Sequence, residues 1–174
     1  MDKHIKEQNV SGEYYKKLSE SFKDVGLNSG RFEPAFEATK AFISLMENKA
    51  DFGVRLTDAY KTDDRATLLP LLLECDVIID KFKAFCNSYR KAWMYYNKPF
   101  GYEVHDIRYG GNIARFETAK IRISEYLNGS IDKIEELEEE RLYLDCRAYT
   151  EDENKFSGTF LWTGYKKIAT VNIL

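Results

Sequence analysis

The chain has 174 residues, of which 44% are hydrophobic and 32% charged, and its formal net charge is −3. This composition is too apolar for an intrinsically disordered chain, and the length suits one domain with a core. No basic block is long enough to follow a phosphate backbone, and no run of about 20 apolar residues could span a membrane. The polar start also lacks the apolar core of a signal peptide. We therefore expect a cytoplasmic protein that binds neither nucleic acid nor membrane.

Apolar residues recur every three or four positions over most of the chain, which is typical of amphipathic helices. Gly, Asn and Pro residues separate these stretches. Four main helices and one short acidic helix are predicted, over residues 13–25, 34–60, 67–96, 102–127 and 130–140. The predicted fold class is mainly α, with residues 1–174 forming a single domain built on a bundle of about four long helices.

The end of the chain departs from this helical pattern. Residues 156–173 contain Gly158, Gly164, two aromatic clusters and several β-branched residues. Glycine-separated runs of this composition favour a β-hairpin. We therefore expect a short hairpin-like tail after the helices.

The third predicted helix has the clearest apolar stripe. Its members are Leu68, Leu71, Cys75, Ile78, Phe82, Phe85, Tyr89 and Trp93. The fourth helix contains an anomaly, because Gly110 and Gly111 each cost about 1 kcal/mol relative to alanine inside a helix. We expect either a break in the helix at this point or a close approach by another backbone or a ligand.

Metal sites and nucleophilic catalysis have little support. A di-iron bundle needs two Glu-x-x-His motifs, yet the two histidines, His4 and His105, do not follow a glutamate by three residues. His105 precedes Asp106, but neighbours on a helix point about 100° apart, so His105 is interpreted as a surface or hydrogen-bonded residue. The three cysteines, Cys75, Cys86 and Cys146, are interpreted as free thiols. We predict no metal, no cofactor and no catalytic residue in this chain.

One constellation combines chemistry that a simple core helix rarely needs. It surrounds a Pro-x-Gly turn between the third and fourth helices, and its candidate residues are Trp93, Asn97, Asp106, Arg108 and Tyr109. An aromatic face with planar polar side chains suits a sugar rim or a protein interface. The same residues could form a buried polar network that holds two helices in register. The residues alone leave these two interpretations open.

The tract from residue 90 to residue 142 carries an ordered series of motifs. They are Trp93, Asn97-Lys98-Pro99-Phe100-Gly101, Glu103-Val104, Asp106, Arg108, Gly110-Gly111, Ala114-Arg115, Thr118-Ala119-Lys120 and the run from Tyr126 to Leu142. This series resembles the C-terminal helical domain of bacterial family 20 glycoside hydrolases, the exo-β-N-acetylhexosaminidases. The resemblance implies an accessory domain of an enzyme that removes terminal β-linked N-acetylhexosamine from glycans.

The catalytic machinery of that family is expected outside this chain. Family members hydrolyse their substrate with an Asp-Glu pair on a (β/α)₈ barrel, and the substrate's own 2-acetamido group replaces a protein nucleophile. The pair belongs to a His-x-Gly-Gly-Asp-Glu motif, whereas Asp152-Glu153 follows Thr150-Glu151 and lacks that context. A barrel also needs roughly 250 residues, more than this chain has. The resemblance therefore implies a non-catalytic domain of a larger hydrolase.

The resemblance also implies partners for this domain. They are the upstream catalytic barrel of the same protein, a second copy in a homodimer, and the glycan substrate through the parent enzyme. The alternative is an independent helical protein-interaction module unrelated to sugars. An upstream reading frame that encodes a barrel with the catalytic motif would separate the two hypotheses.

Overall fold

A computed structural model describes residues 11–139 of the chain. In that range the helices are α1 (Gly12–Phe22), α2 (Glu33–Lys49), α3 (Phe52–Lys61), α4 (Arg65–Tyr96), α5 (Glu103–Asn128) and the one-turn α6 (Glu135–Glu138), with a 3-10 turn over Gly30–Phe32. The prediction of a mainly α bundle is confirmed. The hairpin predicted over residues 156–173 lies outside the described residues.

The central element is α4, which is 32 residues long. Helices α2 and α3 pack on one side of it, and α5 returns along another side. The buried positions of α4 include Leu68, Leu71, Cys75, Ile78, Phe82 and Phe85. These are the first six members of the predicted stripe, whereas Tyr89 and Trp93 are only half-buried. The stripe therefore forms the core over most of its length and reaches the surface towards the end of α4.

The second predicted helix, over residues 34–60, is wrong as a single element. The chain bends at Ala50 and Asp51, where α2 ends and α3 begins. Asp51 accepts a hydrogen bond from the backbone N–H of Gly12, 2.8 Å away, and a second from Arg55 Nε at 2.8 Å. The contact with Gly12 is tertiary, whereas the contact with Arg55 lies within the first turns of α3, and both stabilise the bend. The apolar periodicity continues across it, which is why the sequence pattern did not indicate two helices.

The bend also positions an ion-pair network between α3 and α4. Arg55 donates through Nη1 and Nη2 to the two carboxylate oxygens of Glu74, at 2.7 and 2.9 Å. A bidentate arginine–carboxylate contact of this kind is among the stronger charge-assisted interactions in proteins. Nearby, Lys81 of α4 donates to Glu47 of α2 at 2.7 Å. The network fixes the corner of α2 and α3 against the middle of α4.

Helix α5 runs without a break through Gly110 and Gly111 and ends at Asn128, and the following Gly129, whose φ is 78°, caps it. A Cβ at either Gly110 or Gly111 would meet no other atom of the described chain within 4 Å. Of the expected alternatives, the break is therefore wrong and no backbone in residues 11–139 approaches this pair, whereas a close approach by a ligand or by another chain stays a prediction. The two glycines leave a bare, exposed strip of helix surface.

Candidate functional site

The candidate site lies where α4 turns into α5. Asn97 ends α4 by donating its backbone N–H to the Trp93 carbonyl at 2.8 Å. Trp93 then donates its indole N–H to the carbonyl of Lys98 at 2.9 Å. Gly101 has a φ of 92°, which favours glycine, and its N–H binds the Glu103 carboxylate at 2.8 Å. The turn is therefore held by its own side chains.

Behind the turn, five rings form a cluster that we call the aromatic cluster: Tyr89, Trp93, Tyr102, His105 and Tyr109. His105 lies at its centre, with ring centroids 5.0 Å from Trp93 and 5.1 Å from Tyr89. Its ring is also 5.6 Å from Tyr109 and 5.8 Å from Tyr102. Edge-to-face and offset contacts at these separations stabilise a protein beyond their buried area. The cluster therefore joins the end of α4 to the start of α5 as one rigid unit.

The surroundings of this cluster favour the uncharged forms of its histidine and tyrosine side chains. Burial lowers the pKa of the His105 imidazole, and the positive charge of Arg108 lowers it further, while Asp106 opposes both. Burial and the neighbouring Tyr89 raise the pKa of the Tyr109 hydroxyl to about 12. The Tyr102 hydroxyl donates to the Cys86 carbonyl at 3.3 Å. Uncharged rings of this kind suit packing and recognition better than proton transfer.

The five candidate residues occupy different parts of this junction. Trp93 and Tyr109 belong to the aromatic cluster, and the exposed Asn97 caps α4 beside Trp93. Asp106 is exposed on α5. Arg108 is half-buried, and its Nε has no hydrogen-bond partner among residues 11–139. Asp106 and Arg108 stand two positions apart on one helix and point to different sides, so they do not converge on one polar pocket.

Sequence reasoning missed the centre of the cluster. His105 was interpreted as a surface or hydrogen-bonded residue, and Tyr102 was not a candidate. The spacing could have indicated both, because Tyr102, His105 and Tyr109 follow steps of three and four, which is one face of a helix.

A shallow apolar groove opens beside the cluster, between α2 and α4. Its volume is about 470 Å³, and its lining is mainly aromatic or small: Ala35, Ala38, Thr39, Phe42, Phe85, Tyr89, Ala92, Trp93, Tyr96 and Asn97. Three alanines form part of the wall, so the groove can admit a bulky side chain from outside. Asn97 is the polar group at the end near the turn.

The outside of the junction exposes large apolar side chains, which we call the tip patch: Met94, Tyr95, Phe100, Val104 and Ile107. Phe100, in the turn itself, is 82% exposed. A soluble domain rarely exposes several such residues on adjoining turns unless another surface covers them. The tip patch therefore has the composition of a contact surface.

The family comparison gives this site a context. The model of the glycoside hydrolase 20C C-terminal domain matches residues 1–157, which is most of the chain. The chain belongs to the glycoside hydrolase 20C C-terminal domain family. No curated protein matches it.

Membership of the glycoside hydrolase 20C C-terminal domain family makes this chain an accessory domain of a glycoside hydrolase, and it names a partner, the catalytic domain of the same protein. Among residues 11–139, no group of three or more His, Cys, Asp or Glu side chains is placed to hold a metal ion. None of the helices in that range is long and apolar enough to cross a membrane. The groove and the tip patch are two features of the described domain that are available to a partner.

Proposed function

We propose that this domain supports a β-N-acetylhexosaminidase by docking its α4–α5 junction against the catalytic barrel or against a second subunit. The enzyme would remove terminal β-linked N-acetylglucosamine or N-acetylgalactosamine by substrate-assisted hydrolysis on the barrel. This chain would contribute no catalytic group. Its role would be to hold the barrel and a partner subunit in a fixed arrangement.

The observation that carries this proposal is the exposure of the tip patch on a rigid support. The aromatic cluster fixes the turn from inside, so the outward residues keep their positions before any partner binds. Preorganised contact residues lose little conformational entropy on binding, which favours affinity. Gly110 and Gly111 continue the bare surface along α5 and would allow another backbone to approach closely.

The groove offers a second element of the same contact surface. Trp93, Tyr96 and Asn97 lie at its edge, so an inserted side chain would meet aromatic faces and one amide. Buried aromatic anchors in pockets of this kind contribute strongly to protein interfaces. We infer an apolar anchor from the partner here, in preference to a sugar, because the lining contains few polar groups that could fix hydroxyls.

The test is a substitution at the tip in the full enzyme. Phe100→Ser should weaken subunit assembly, measured by sedimentation, or lower turnover of a chromogenic N-acetylglucosaminide, while the melting temperature of the domain changes little. Leu73→Ser is the matched control, since Leu73 is 62% exposed on α4 but lies away from the junction. Equal behaviour of the two variants would contradict the proposal. The chain by itself should show no turnover, and catalysis by the isolated chain would also contradict it.

A further inference from the structure

The face of α5 that points away from the core carries a regular pattern of apolar and small residues. They recur at alternating steps of three and four: Val104, Ile107, Gly111, Ala114, Thr118 and Ile121. We call these six residues the α5 seam. Val104, Ile107 and Ile121 are 36%, 41% and 58% exposed, whereas Phe116 and Ile123, on the opposite face, pack on the core. The alternation of threes and fours is the spacing with which one helix contacts another in a coiled coil.

The side chains of the α5 seam are small at its middle and larger towards both ends. Gly111 and Ala114 form the middle, with Gly110 beside them. A Cβ at either glycine would meet no atom within 4 Å among residues 11–139 beyond the helix itself. Two helices that cross at such a place can come close, because little side-chain volume separates their backbones. Ile107 and Ile121 then fill the space where the two helices diverge.

The charged residues beside the α5 seam are sorted by sign. Arg108, Arg115 and Arg122 follow one flank at steps of seven, and Glu103 and Glu117 lie on the other flank. In a parallel pair of identical helices, each flank faces the opposite flank of the other copy, so Glu103 meets Arg108 and Glu117 meets Arg122. In an antiparallel pair each flank would face itself and set like charges together, which is unfavourable. The charges therefore favour a parallel pair of two copies.

Arg108 supports this arrangement through a group that its own chain leaves without a partner. Its Nε is buried and makes no hydrogen bond within residues 11–139. A buried donor without a partner is costly, and a carboxylate from outside would remove that cost. Glu103 accepts the Gly101 N–H through one oxygen at 2.8 Å, and a carboxylate can accept further hydrogen bonds. Arg122, by contrast, already contacts Glu125 of its own chain at 3.2 Å.

We propose that α5 of this chain pairs in parallel with α5 of a second copy, with the α5 seam along the two-fold axis. Gly111 and Ala114 of the two copies meet at the crossing, and Glu103 of one copy binds Arg108 of the other. The two α4–α5 junctions then lie side by side at one end of the pair. This inference deepens the proposed function and rests on it for its biological role, since it names the surface and the orientation of the second subunit.

Disulfide cross-linking of the 174-residue chain tests the pairing. Ile121→Cys is the reporter in a background with Cys86→Ser and Cys146→Ser, and the remaining Cys75 is buried. Position 121 meets its own copy in a parallel pair, so mild oxidation should link these chains about tenfold faster than the Tyr14→Cys control, or more. Tyr14 is 57% exposed on α1. Equal rates would overturn the inference. If Ile121→Cys fails to fold by circular dichroism, Thr118→Cys must give the same result.

A mixture of two reporters tests the orientation. Chains with Val104→Cys and chains with Ile121→Cys, in the same background, are oxidised together. A parallel pair predicts links between like positions, 104 with 104 and 121 with 121. A preference for links between 104 and 121 would show an antiparallel pair and overturn the inference.

Charge reversal tests the flanks. Glu103→Lys should weaken self-association of the chain roughly tenfold by sedimentation, and adding Arg108→Glu to it should restore the association, because the pair is then reversed and intact. Glu37→Lys, at an exposed position of α2, is the matched control and should leave association unchanged. Failure of the double substitution to restore association would overturn the parallel charge pairing.

These experiments separate the inference from the proposed function, because the 174-residue chain contains no catalytic barrel. A chain that stays monomeric, in an enzyme whose assembly or turnover still falls with Phe100→Ser and not with Leu73→Ser, would overturn the inference alone. A chain that pairs through α5, in an enzyme that responds equally to those two substitutions, would support the pairing and contradict the proposed function.

Discussion

The imidazole of His105 lies against the indole of Trp93, with ring centroids 5.0 Å apart and planes inclined at 60°. One residue comes from the last turns of α4 and the other from the first turns of α5. Their contact therefore fixes the angle at which the two longest helices meet. It also places an ionisable ring among aromatic side chains, so the stability of the domain should depend on pH.

Stability should fall in mildly acidic solution because of His105. Burial and the Arg108 charge lower the pKa of the folded imidazole below its unfolded value of 6.5. The stabilising contribution is then complete above about pH 6.5 and is lost as the pH falls through the folded pKa. Urea unfolding at pH 8 and pH 5 should show this loss, and His105→Phe should reduce it. A folded His105 pKa above 6.5 by NMR would contradict the account.

Phe82→Ala should destabilise the domain by about 3–5 kcal/mol, since a large buried side chain leaves a cavity. Phe82 is part of the buried core and its ring is 6.1 Å from that of Phe116 on α5. Phe42→Ala is the matched control, because Phe42 is 42% exposed and should cost much less. Denaturant unfolding measures both. A loss of unfolding free energy below about 0.5 kcal/mol for Phe82→Ala would show that the buried face of α4 has been assigned wrongly.

Gly111→Ala separates helix stability from docking. In the isolated domain the substitution should stabilise α5 by up to about 1 kcal/mol, since Ala is the better helix former and space is open for its methyl group. In the full enzyme the same methyl group should weaken assembly, because it would obstruct the close approach that we propose. Thermal unfolding measures the stability of the isolated domain, and sedimentation measures the assembly of the full enzyme. Stabilisation with unchanged assembly would remove the glycine pair from the contact surface.

Asp106→Ala and Arg108→Ala should reduce activity or dimerisation of the full enzyme more than they lower the melting temperature. The reason is that Asp106 is exposed beside the tip patch and Arg108 has an Nε without a hydrogen-bond partner in residues 11–139. The isolated domain, measured by thermal unfolding, is the reference. Equal losses of stability and assembly would support the buried-network interpretation of these residues instead.

The long helices were predictable because their patterns are local. The apolar stripe from Leu68 to Phe85 defines α4, and Gly129 marks the end of α5. The bend at Asp51 was not predictable, because one stabilising partner, the backbone N–H of Gly12, lies 39 residues away in the sequence and on another helix. Local propensity carries no information about such a contact between distant residues.

The position of the turn beside the candidate site was predictable from the sequence, whereas only some of the residues that pack there were. The turn at residues 97–101 followed from Pro99 and Gly101, and Trp93 and Tyr109 each pack against the rings of Tyr89 and His105 beside it. The sequence could not show that His105 would occupy the centre, since ring packing depends on how α5 rotates against α4. The rotation that turns His105 and Tyr109 inward leaves Asp106 exposed. Whether the five candidate residues act in binding remains a prediction.

The most direct test of the central claim is hydroxyl-radical footprinting of the full enzyme against the isolated domain. Met94, Tyr95 and Phe100 are exposed in this domain and react readily, and Tyr14 is an exposed reference on α1. Docking of the junction predicts strong protection of these three residues in the full enzyme, with Tyr14 unchanged. Equal oxidation of the tip patch in the two samples would contradict the claim that this surface meets the catalytic domain or a partner subunit.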